Sequence, residues 1–307
     1  MLKKVVTAFL FMFLLGGALA YAQASKAKLE IVTTLFPTYD FAKQIGKDKV
    51  NVSLLLPPGV ESHTFELKPA DVVRISKADI FIYTGKYMEP WAEDMLKGVS
   101  NKNLIVIDAS KGIELAGEEG HDEEPEHHGG GKDPHIWVDL GKAQIMVNTI
   151  ATALTEKDQV NKAFYLKNAK EYNAKLADLD ERFKETLSTC KHKTIIYGGH
   201  FAFGYFAKRY GLEHVSPYDG FSPNAEPSPK ALAELINKLK ASGMKYIYYE
   251  ELLDPKVARV ISQETGANLE LLHGAHNVSK DELSRGCTFI DIMEDNLKKL
   301  RVGLECQ

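Results

Sequence analysis

Hydrophobic and polar positions follow two different periods along this chain. Short apolar runs, such as residues 50–56 and 79–84, predict β-strands, whereas apolar residues spaced three or four positions apart predict helices. Strand and helix patterns alternate over residues 29–108 and again over residues 193–302. This alternation is typical of an α/β fold with mainly parallel sheets.

One helical pattern is far longer than the others and covers residues 159–187. A helix of ~29 residues measures about 43 Å at 1.5 Å per residue. We therefore expect a stiff connector, and the predicted fold is two Rossmann-like α/β lobes joined by one long rigid helix. The predicted boundaries are an N-terminal lobe at 25–140, a helical connector at 141–188 and a C-terminal lobe at 189–307. The apolar stripe of the long helix consists of Tyr172, Leu176, Leu179, Phe183 and Leu187.

The N-terminus has the composition of a secretory signal peptide. Lys3 and Lys4 precede an apolar run over residues 5–19, and small residues follow that run. We expect residues 1–24 to be removed on export; a retained membrane anchor is the alternative, although the run is short for a span. The mature protein is therefore expected in the periplasm. No cysteine follows the run, so we expect no lipid attachment.

A strongly acidic tract interrupts the first α/β pattern at residues 114–132. Its carboxylates repel one another and it has no apolar core, which is typical of a disordered insert. Three histidines lie among the carboxylates, namely His121, His127 and His128. The tract is either a solubilising insert or a loose capture site for divalent metal.

The overall composition narrows the class of protein. A content of 44% hydrophobic and 26% charged residues fits a globular chain of about two domains. The net charge of -4 argues against nucleic acid as a partner, because binding it requires a basic face.

Three cysteines are present, and none has the close spacing of a zinc finger. An exported protein meets an oxidising compartment, which favours one disulfide and leaves one free thiol. We expect the pair Cys190–Cys306, which would tie the chain end to the start of the second half. Connectivity cannot be deduced from the sequence, so the other pairings stay open.

Four of the ten histidines follow predicted strands or close the first lobe. They are His63, His135, His200 and His273. In open α/β sheets, ligands bind beyond the carboxyl ends of the strands, so two facing lobes would bring these side chains together. Four imidazoles suit zinc, which prefers four ligands in a tetrahedron. A single histidine in a loop is more often solvated, and the prediction depends on the joint placement.

Three motifs resemble one known family. Residues 58–66 (PGVESHTFE), 133–139 (DPHIWVD) and 200–211 (HFAFGYFAKRYG) are similar to the zinc/manganese solute-binding proteins of ABC importers, in the zinc-binding branch of cluster A-I. The resemblance covers nearly the whole mature chain. It implies two α/β lobes joined by a rigid helix, with a metal ion in the cleft between them.

The resemblance also implies a set of ligands. His63, His135 and His200 match the first three metal-binding positions of the family. For the fourth, we align His273 with an aspartate that many members carry, with His276 or a bound water as alternatives. Manganese members tend to have a carboxylate at the third position, and His200 therefore favours zinc.

The predicted function is capture of Zn²⁺ and its delivery to an ABC transporter permease, by a monomer that is not an enzyme. A manganese-specific carrier of the same family is the first alternative. A secreted zinc hydrolase is the second, because three histidines with an open position also form a catalytic zinc site. The chain has no His-Glu-x-x-His motif, which argues against the hydrolase.

Overall fold

The structure, a computed structural model, describes residues 28–117, 131–218 and 227–307. In these ranges no helix combines the length and the apolar character that a membrane crossing requires. The predicted signal peptide and the three histidines of the acidic tract, His121, His127 and His128, lie outside the described residues.

Strands and helices alternate on both sides of one long helix. The strands are β1 (Leu29–Thr33), β2 (Val50–Leu54), β3 (Ile80–Tyr83), β4 (Ile105–Asp108), β5 (Thr194–Ile196), β6 (Glu213–Val215), β7 (Tyr246–Tyr249) and β8 (Asn268–Leu271). The helices are α1 (Phe36–Gly46), α2 (Pro69–Ser76), α3 (Ala92–Lys97), α4 (Leu140–Lys157), α5 (Lys162–Ser188), α6 (Gly204–Tyr210), α7 (Pro229–Ser242), α8 (Lys256–Thr265), α9 (Lys280–Ser284) and α10 (Phe289–Gly303).

The N-terminal sheet is parallel throughout, with the strand order β2-β1-β3-β4. Strand β3 is buried along its whole length, which explains its continuous apolar sequence, Ile-Phe-Ile-Tyr. One apolar cluster packs on each face of this sheet. The sheet is therefore covered on both sides, as a parallel sheet requires.

The C-terminal strands repeat this order. Strand β5 pairs with β6, and β7 pairs with β8, all in parallel. A parallel bridge between Tyr197 and Tyr248, with the Gly198 N–H donating to the Tyr248 carbonyl at 2.8 Å, joins the two pairs. The resulting order β6-β5-β7-β8 matches that of the N-terminal sheet. The fold is thus two α/β units with parallel sheets and a long helix, as predicted; the predicted lobe boundaries stay a prediction.

Helix α5 connects the two units. Its 27 residues measure about 40 Å. Its buried face packs against α1 and α4 on one side and against α6 and α10 on the other. The carboxylate of Asp180 accepts hydrogen bonds from Arg209 and Tyr210, and Arg182 pairs with Glu294. The predicted start at residue 159 is instead a short 3₁₀ turn, Gln159–Asn161.

The C-terminal unit contains one disulfide and one free cysteine. Cys190, two residues beyond α5, is joined by a disulfide to Cys306, three residues beyond α10. Cys287 is a free thiol. The disulfide therefore fastens the chain end to the end of the connecting helix.

Two elements were not predicted from the sequence. Strand β6 has three residues and its apolar content is a single valine, so it carries no alternating pattern. Helix α9 has five residues, and its one signal is a capping box in which Ser279 and Glu282 bond to each other's backbone N–H. Both are too short for hydrophobic periodicity to reveal them.

Candidate metal centre

Four histidines from four loops meet between the two sheets. His63 follows β2, His135 precedes α4, His200 follows β5 and His276 follows β8. One potential ligand atom from each lies within 4.8 Å of the other three. The loops of His63, His200 and His276 leave the carboxyl ends of strands, which is where open α/β sheets bind ligands. We call these four side chains the histidine cluster.

The histidine cluster is close to a regular tetrahedron. The six distances between ring centroids all fall between 5.0 and 5.6 Å. The Nε2 atoms of His63 and His135 are 3.5 Å apart. Four nitrogens at 2.0–2.1 Å from a tetrahedral zinc would be ~3.3–3.4 Å apart. The spacing of the rings therefore suits a four-coordinate ion of the size of zinc.

Two of the ring nitrogens at the centre form no hydrogen bond in the described part of the chain. Among the described residues, nothing forms a hydrogen bond with Nε2 of His200 or His276, although both atoms are buried. A buried polar atom without a partner costs free energy, and native structures rarely keep one without a reason. A metal ion at the centre would use these lone pairs.

Asp133 orients His135. Its Oδ1 atom accepts the His135 backbone N–H at 2.9 Å and faces the ring Nδ1 at 2.8 Å. A carboxylate oxygen that accepts the backbone N–H acts as an acceptor toward the ring as well. The ring of His135 therefore donates from Nδ1 and carries its proton there. The Tyr205 hydroxyl donates to the Asp133 carbonyl at 2.9 Å, and a side chain at Gly204 would collide with the Asp133 carboxylate.

Two consecutive glutamates orient His200 and His276. Glu250 accepts the backbone N–H and the ring Nδ1–H of His200. Glu251 faces the ring Nδ1 of His276 at 3.0 Å and accepts its backbone N–H at 3.2 Å. Glu251 also accepts the Gly274 N–H at 2.7 Å. Both carboxylates therefore leave the Nε2 atoms directed to the centre.

His63 is the exception in the histidine cluster. It is half-buried, whereas the other three are buried. Glu61 accepts the backbone N–H groups of His63 and Thr64 at 2.8 and 2.9 Å. The Glu61 carboxylate therefore shapes the loop, and the His63 ring is the member of the histidine cluster nearest to solvent.

The fourth corner is His276 and not His273, which the sequence alignment placed there. The Nδ1 atom of His273 accepts the Ala275 N–H at 2.9 Å, and its Nε2 lies 3.7 Å from a carboxylate oxygen of Glu282. Ala275 has a left-handed backbone, with φ of 60°, so the chain turns between the two histidines. This turn places His276, the alternative from the sequence, in the histidine cluster.

The segment that carries His276 is bonded to the N-terminal unit. The Phe36 N–H donates to the His276 carbonyl at 3.1 Å, and the indole N–H of Trp137 donates to the Gly274 carbonyl at 2.7 Å. The side-chain amide of Asn277 donates to the carbonyls of Pro57 and Val60 at 2.7 and 2.9 Å. The fourth corner is therefore fixed from both units.

Burial keeps two of the imidazoles neutral. Desolvation, reinforced by His276 and His200, lowers the pKa of His63 to about 2. Desolvation also lowers the pKa of His135 well below its usual range. Both rings are therefore uncharged at neutral pH, which is the protonation state that binds metal.

The electrostatics at the fourth corner differ. Burial alone would lower the pKa of His276, but the hydrogen bond from its ring to Glu251, together with the negative charges of Glu251, Glu250 and Glu61, raises that pKa. Burial alone would raise the pKa of Glu251, but His273 and the bond to His276 lower it. Glu251 is therefore a buried carboxylate that can balance part of the charge of a divalent cation.

The arrangement is unfavourable for catalysis. All four corners are imidazoles, whereas catalytic zinc sites keep three protein ligands and an open position. The nearest carboxylates, Asp133, Glu250 and Glu251, are engaged in orienting histidines. Within the described residues, no free carboxylate beside the histidine cluster is placed as a general base.

Sequence reasoning did not single out Glu250, Glu251 or Trp137. A signal for the two glutamates was available, because they follow directly on β7 at the same edge of the sheet as the ligand histidines. Trp137 lies inside a motif that was noted, but its indole bond to Gly274 joins residues that are 137 positions apart. Only the tertiary structure reveals that contact.

Comparison with known sequences identifies one family. The profile described as zinc-uptake complex component A, periplasmic (ZnuA), matches residues 31–303. The high-affinity zinc uptake system protein ZnuA of Bacillus subtilis is 41% identical over 290 residues, which cover 92% of this chain and 90% of that protein. The zinc-binding lipoprotein AdcA of Streptococcus pneumoniae is 36% identical over 281 residues, but the chain spans 55% of that longer protein.

A solved structure agrees with the sequence comparisons. The Zn(II)-bound ZnuA-like domain of Streptococcus pneumoniae AdcA superposes with a TM-score of 0.76 at 34% identity. The match covers 91% of this chain and all of that one. The two α/β units and the connecting helix are therefore shared with a domain whose crystals contain zinc.

Proposed function

We propose that this chain, which belongs to the ZnuA family of periplasmic zinc-uptake components, captures Zn²⁺ in the histidine cluster and delivers it to an ABC transporter permease. The family is a transport component and not an enzyme. One observation supports the proposal most directly, namely that four buried or half-buried imidazoles form a near-regular tetrahedron, in which the buried Nε2 atoms of His200 and His276 form no hydrogen bond within the described residues. In this proposal the ligands are His63, His135, His200 and His276.

The donor set favours zinc over manganese. Imidazole nitrogens suit zinc, whereas carboxylate, carbonyl and water oxygens suit manganese. The carboxylates Asp133, Glu250 and Glu251 bond to the outer nitrogens of the rings and do not occupy a corner. They stabilise the bound cation by charge while the nitrogens select it.

Capture requires a path for the ion, and His63 supplies the most accessible corner. The other three corners are buried and fixed by carboxylates. We propose that zinc first meets His63 and then completes its shell with the preset Nε2 atoms. Release to the permease would proceed through the same face.

The proposal also covers the N-terminal segment and the histidines of the acidic tract. We propose that residues 1–24 are a cleaved signal peptide and that the mature protein is a periplasmic monomer. We also propose that His121, His127 and His128 capture metal loosely and do not belong to the tight site. Both features lie outside the described residues.

Calorimetric titration of the metal-free mature protein with Zn²⁺ and Mn²⁺ tests the function. We expect one tight zinc site, weaker manganese binding, loss of the tight site in His135→Ala and its retention after deletion of residues 118–130. Tight binding that survives His135→Ala and disappears with the loop would overturn the site. Tighter binding of Mn²⁺ than of Zn²⁺ would keep a carrier but overturn the choice of metal.

Zinc uptake by cells tests delivery. In cells that lack the endogenous protein, the wild-type chain should restore growth under zinc limitation, and His135→Ala should not. Equal restoration by both chains would show that uptake does not depend on the histidine cluster.

A further inference from the structure

Glu250 and Glu251 form a pair with an unusual position. They follow β7 directly, and both point to the same histidine cluster, although successive residues of an extended strand point to opposite sides. Glu251 is buried, and the Glu250 side chain is 12% exposed. Among the ion pairs of the described residues, neither carboxylate pairs with a lysine or an arginine.

Each carboxylate serves one ring. Glu250 holds the backbone N–H and Nδ1 of His200, which follows β5. Glu251 holds the backbone N–H and Nδ1 of His276, which follows β8. One dipeptide therefore fixes two corners that come from loops 76 positions apart, after the two strands that flank β7 in the C-terminal sheet.

Backbone strain accompanies both contacts. Leu252, next to Glu251, has φ of 65°, and Ala275, next to His276, has φ of 60°. A non-glycine residue in this region costs about 1–3 kcal/mol and persists only where its surroundings over-determine it. The three hydrogen bonds of Glu251, to Gly274 and twice to His276, supply that constraint.

A carboxylate is an acceptor only, and this property decides which ring nitrogen is free. A neutral imidazole has one proton, and a carboxylate facing Nδ1 draws that proton to Nδ1. The Nε2 lone pair is then exposed to the centre, as metal binding requires. With the proton on Nε2, the ring would present an N–H to the metal and would not bind it.

We propose that Glu250 and Glu251 are paired positioning residues that preset His200 and His276 as Nδ1–H tautomers, each with a free Nε2, before the metal arrives. The proposal rests on the function given above, since it assigns a role to groups around the same site. It goes beyond that function because it locates the preorganisation of two ligands in a single dipeptide.

Replacement by glutamine isolates this role, because glutamine keeps the shape and alters the hydrogen-bond pattern. In Glu251→Gln the amide oxygen can face Gly274 N–H or the His276 ring, but not both with the present geometry. When the amide NH₂ faces Nδ1, the ring must accept there and move its proton to Nε2. The same argument applies to Glu250→Gln and His200.

The experiment compares metal-free wild type, Glu250→Gln, Glu251→Gln and Asp254→Asn. Asp254 is an exposed carboxylate of the same loop, paired with Arg259, and controls for loss of charge. Long-range ¹H–¹⁵N spectra, recorded at rising pH until the ring signals stop changing, report which nitrogen of each neutral ring is protonated. Spectra of His200→Ala and His276→Ala assign the signals.

We expect Nδ1–H signals for His200 and His276 in wild type and in Asp254→Asn. Glu250→Gln should convert His200 alone and Glu251→Gln should convert His276 alone, each with a ~10–100-fold weaker zinc affinity. Unchanged tautomers in both glutamine variants would overturn the proposal, whatever the affinities. If Glu251→Gln fails to fold, as judged by its thermal unfolding, the more exposed Glu250 site decides the question.

The two proposals fail in different ways. If wild type binds no zinc, the proposed function fails, while the spectra of the metal-free protein still decide the role of the glutamates. If wild type binds zinc tightly and neither substitution changes the tautomer of its histidine, only the positioning role fails.

Discussion

His273 and His276 are three positions apart but have opposite environments at the level of single atoms. His273 uses Nδ1 as an acceptor for the Ala275 N–H, which leaves its proton on Nε2 beside Glu282. His276 has Glu251 at Nδ1, and its Nε2, which like that of His273 forms no hydrogen bond within the described residues, lies in the histidine cluster. The environment of each ring, and not its distance from the last strand, decides which one is available to metal.

The His276→Ala variant should therefore lose far more zinc affinity than His273→Ala. Structural zinc sites are worth about 10–16 kcal/mol, so one of four ligands contributes roughly 3 kcal/mol, or a ~100-fold change in affinity. We expect this loss for His276→Ala and less than ~10-fold for His273→Ala, measured by competition with a chromogenic chelator. The reverse order would restore His273 as the fourth ligand.

A second residue-level prediction concerns Glu89, a buried carboxyl group outside the histidine cluster. Burial raises the pKa of Glu89 to about 7, although Thr34 and the N–H groups of Thr84 and Gly85 donate to it. The folded state thus binds this proton more tightly than the unfolded state, and stability falls as pH rises from about 4.5 to about 7. The full difference is roughly 3 kcal/mol.

Glu89→Gln should remove this contribution. Chemical denaturation across this pH range should show wild type losing stability relative to Glu89→Gln as pH rises. Glu93→Gln, on the exposed start of α3, is the matched control and should follow wild type. Parallel profiles for wild type and Glu89→Gln would contradict the raised pKa.

Three of the four histidines in the cluster could be predicted from the sequence because their motifs are local. His63, His135 and His200 each lie in a continuous, specific stretch of residues. The fourth corner depends on a left-handed turn at Ala275. This turn could not be predicted, because alanine rarely adopts that conformation. Sequence reasoning therefore named His276 as an alternative but ranked it second.

At the level of elements, helix α5 was predictable because its stripe of apolar residues, from Tyr172 to Leu187, extends over about four turns. Its partners were not, because polar contacts such as Asp180–Arg209 join separate elements without any pattern in the sequence. The end of the helix is fixed covalently by Cys190–Cys306. This link closes a long loop that includes most of the C-terminal unit.

Removal of the disulfide should destabilise the protein substantially. The two cysteines are 116 positions apart, and a closed loop of about that length is worth up to about 4–5 kcal/mol through the entropy of the unfolded chain. We expect the double variant Cys190→Ala, Cys306→Ala to unfold at a clearly lower denaturant concentration than Cys287→Ala, which removes only the free thiol. Equal midpoints would show that the bridge contributes little to stability.

At the scale of the whole molecule, the two α/β units are held together on two sides. Helix α5 packs against both units along its length. On the other side, the loop containing His276 bonds to Phe36, Trp137 and, through Asn277, to Pro57 and Val60. A wide opening would break these buried hydrogen bonds, each of which costs free energy to leave unmade.

Zinc binding should therefore change the overall dimensions very little. We expect the radius of gyration from small-angle X-ray scattering to differ by less than about 1 Å between the metal-free and the zinc-loaded protein, because hinge closure needs a flexible connection. The movement should be confined to the loop of His63. A change of several ångströms would mean that the units separate when the metal leaves.

Trp137 has a further consequence through its place beside the histidine cluster. Its ring meets His135 and His276 edge to face, with centroids 5.5 and 5.2 Å apart. Indole emission is sensitive to charge next to the ring, so an arriving cation should change its intensity. The other tryptophan of the chain, Trp91, packs on Phe65. A Trp91→Phe variant would leave Trp137 as the single emitter, and the protein would then signal its own metal load as fluorescence, without an added dye.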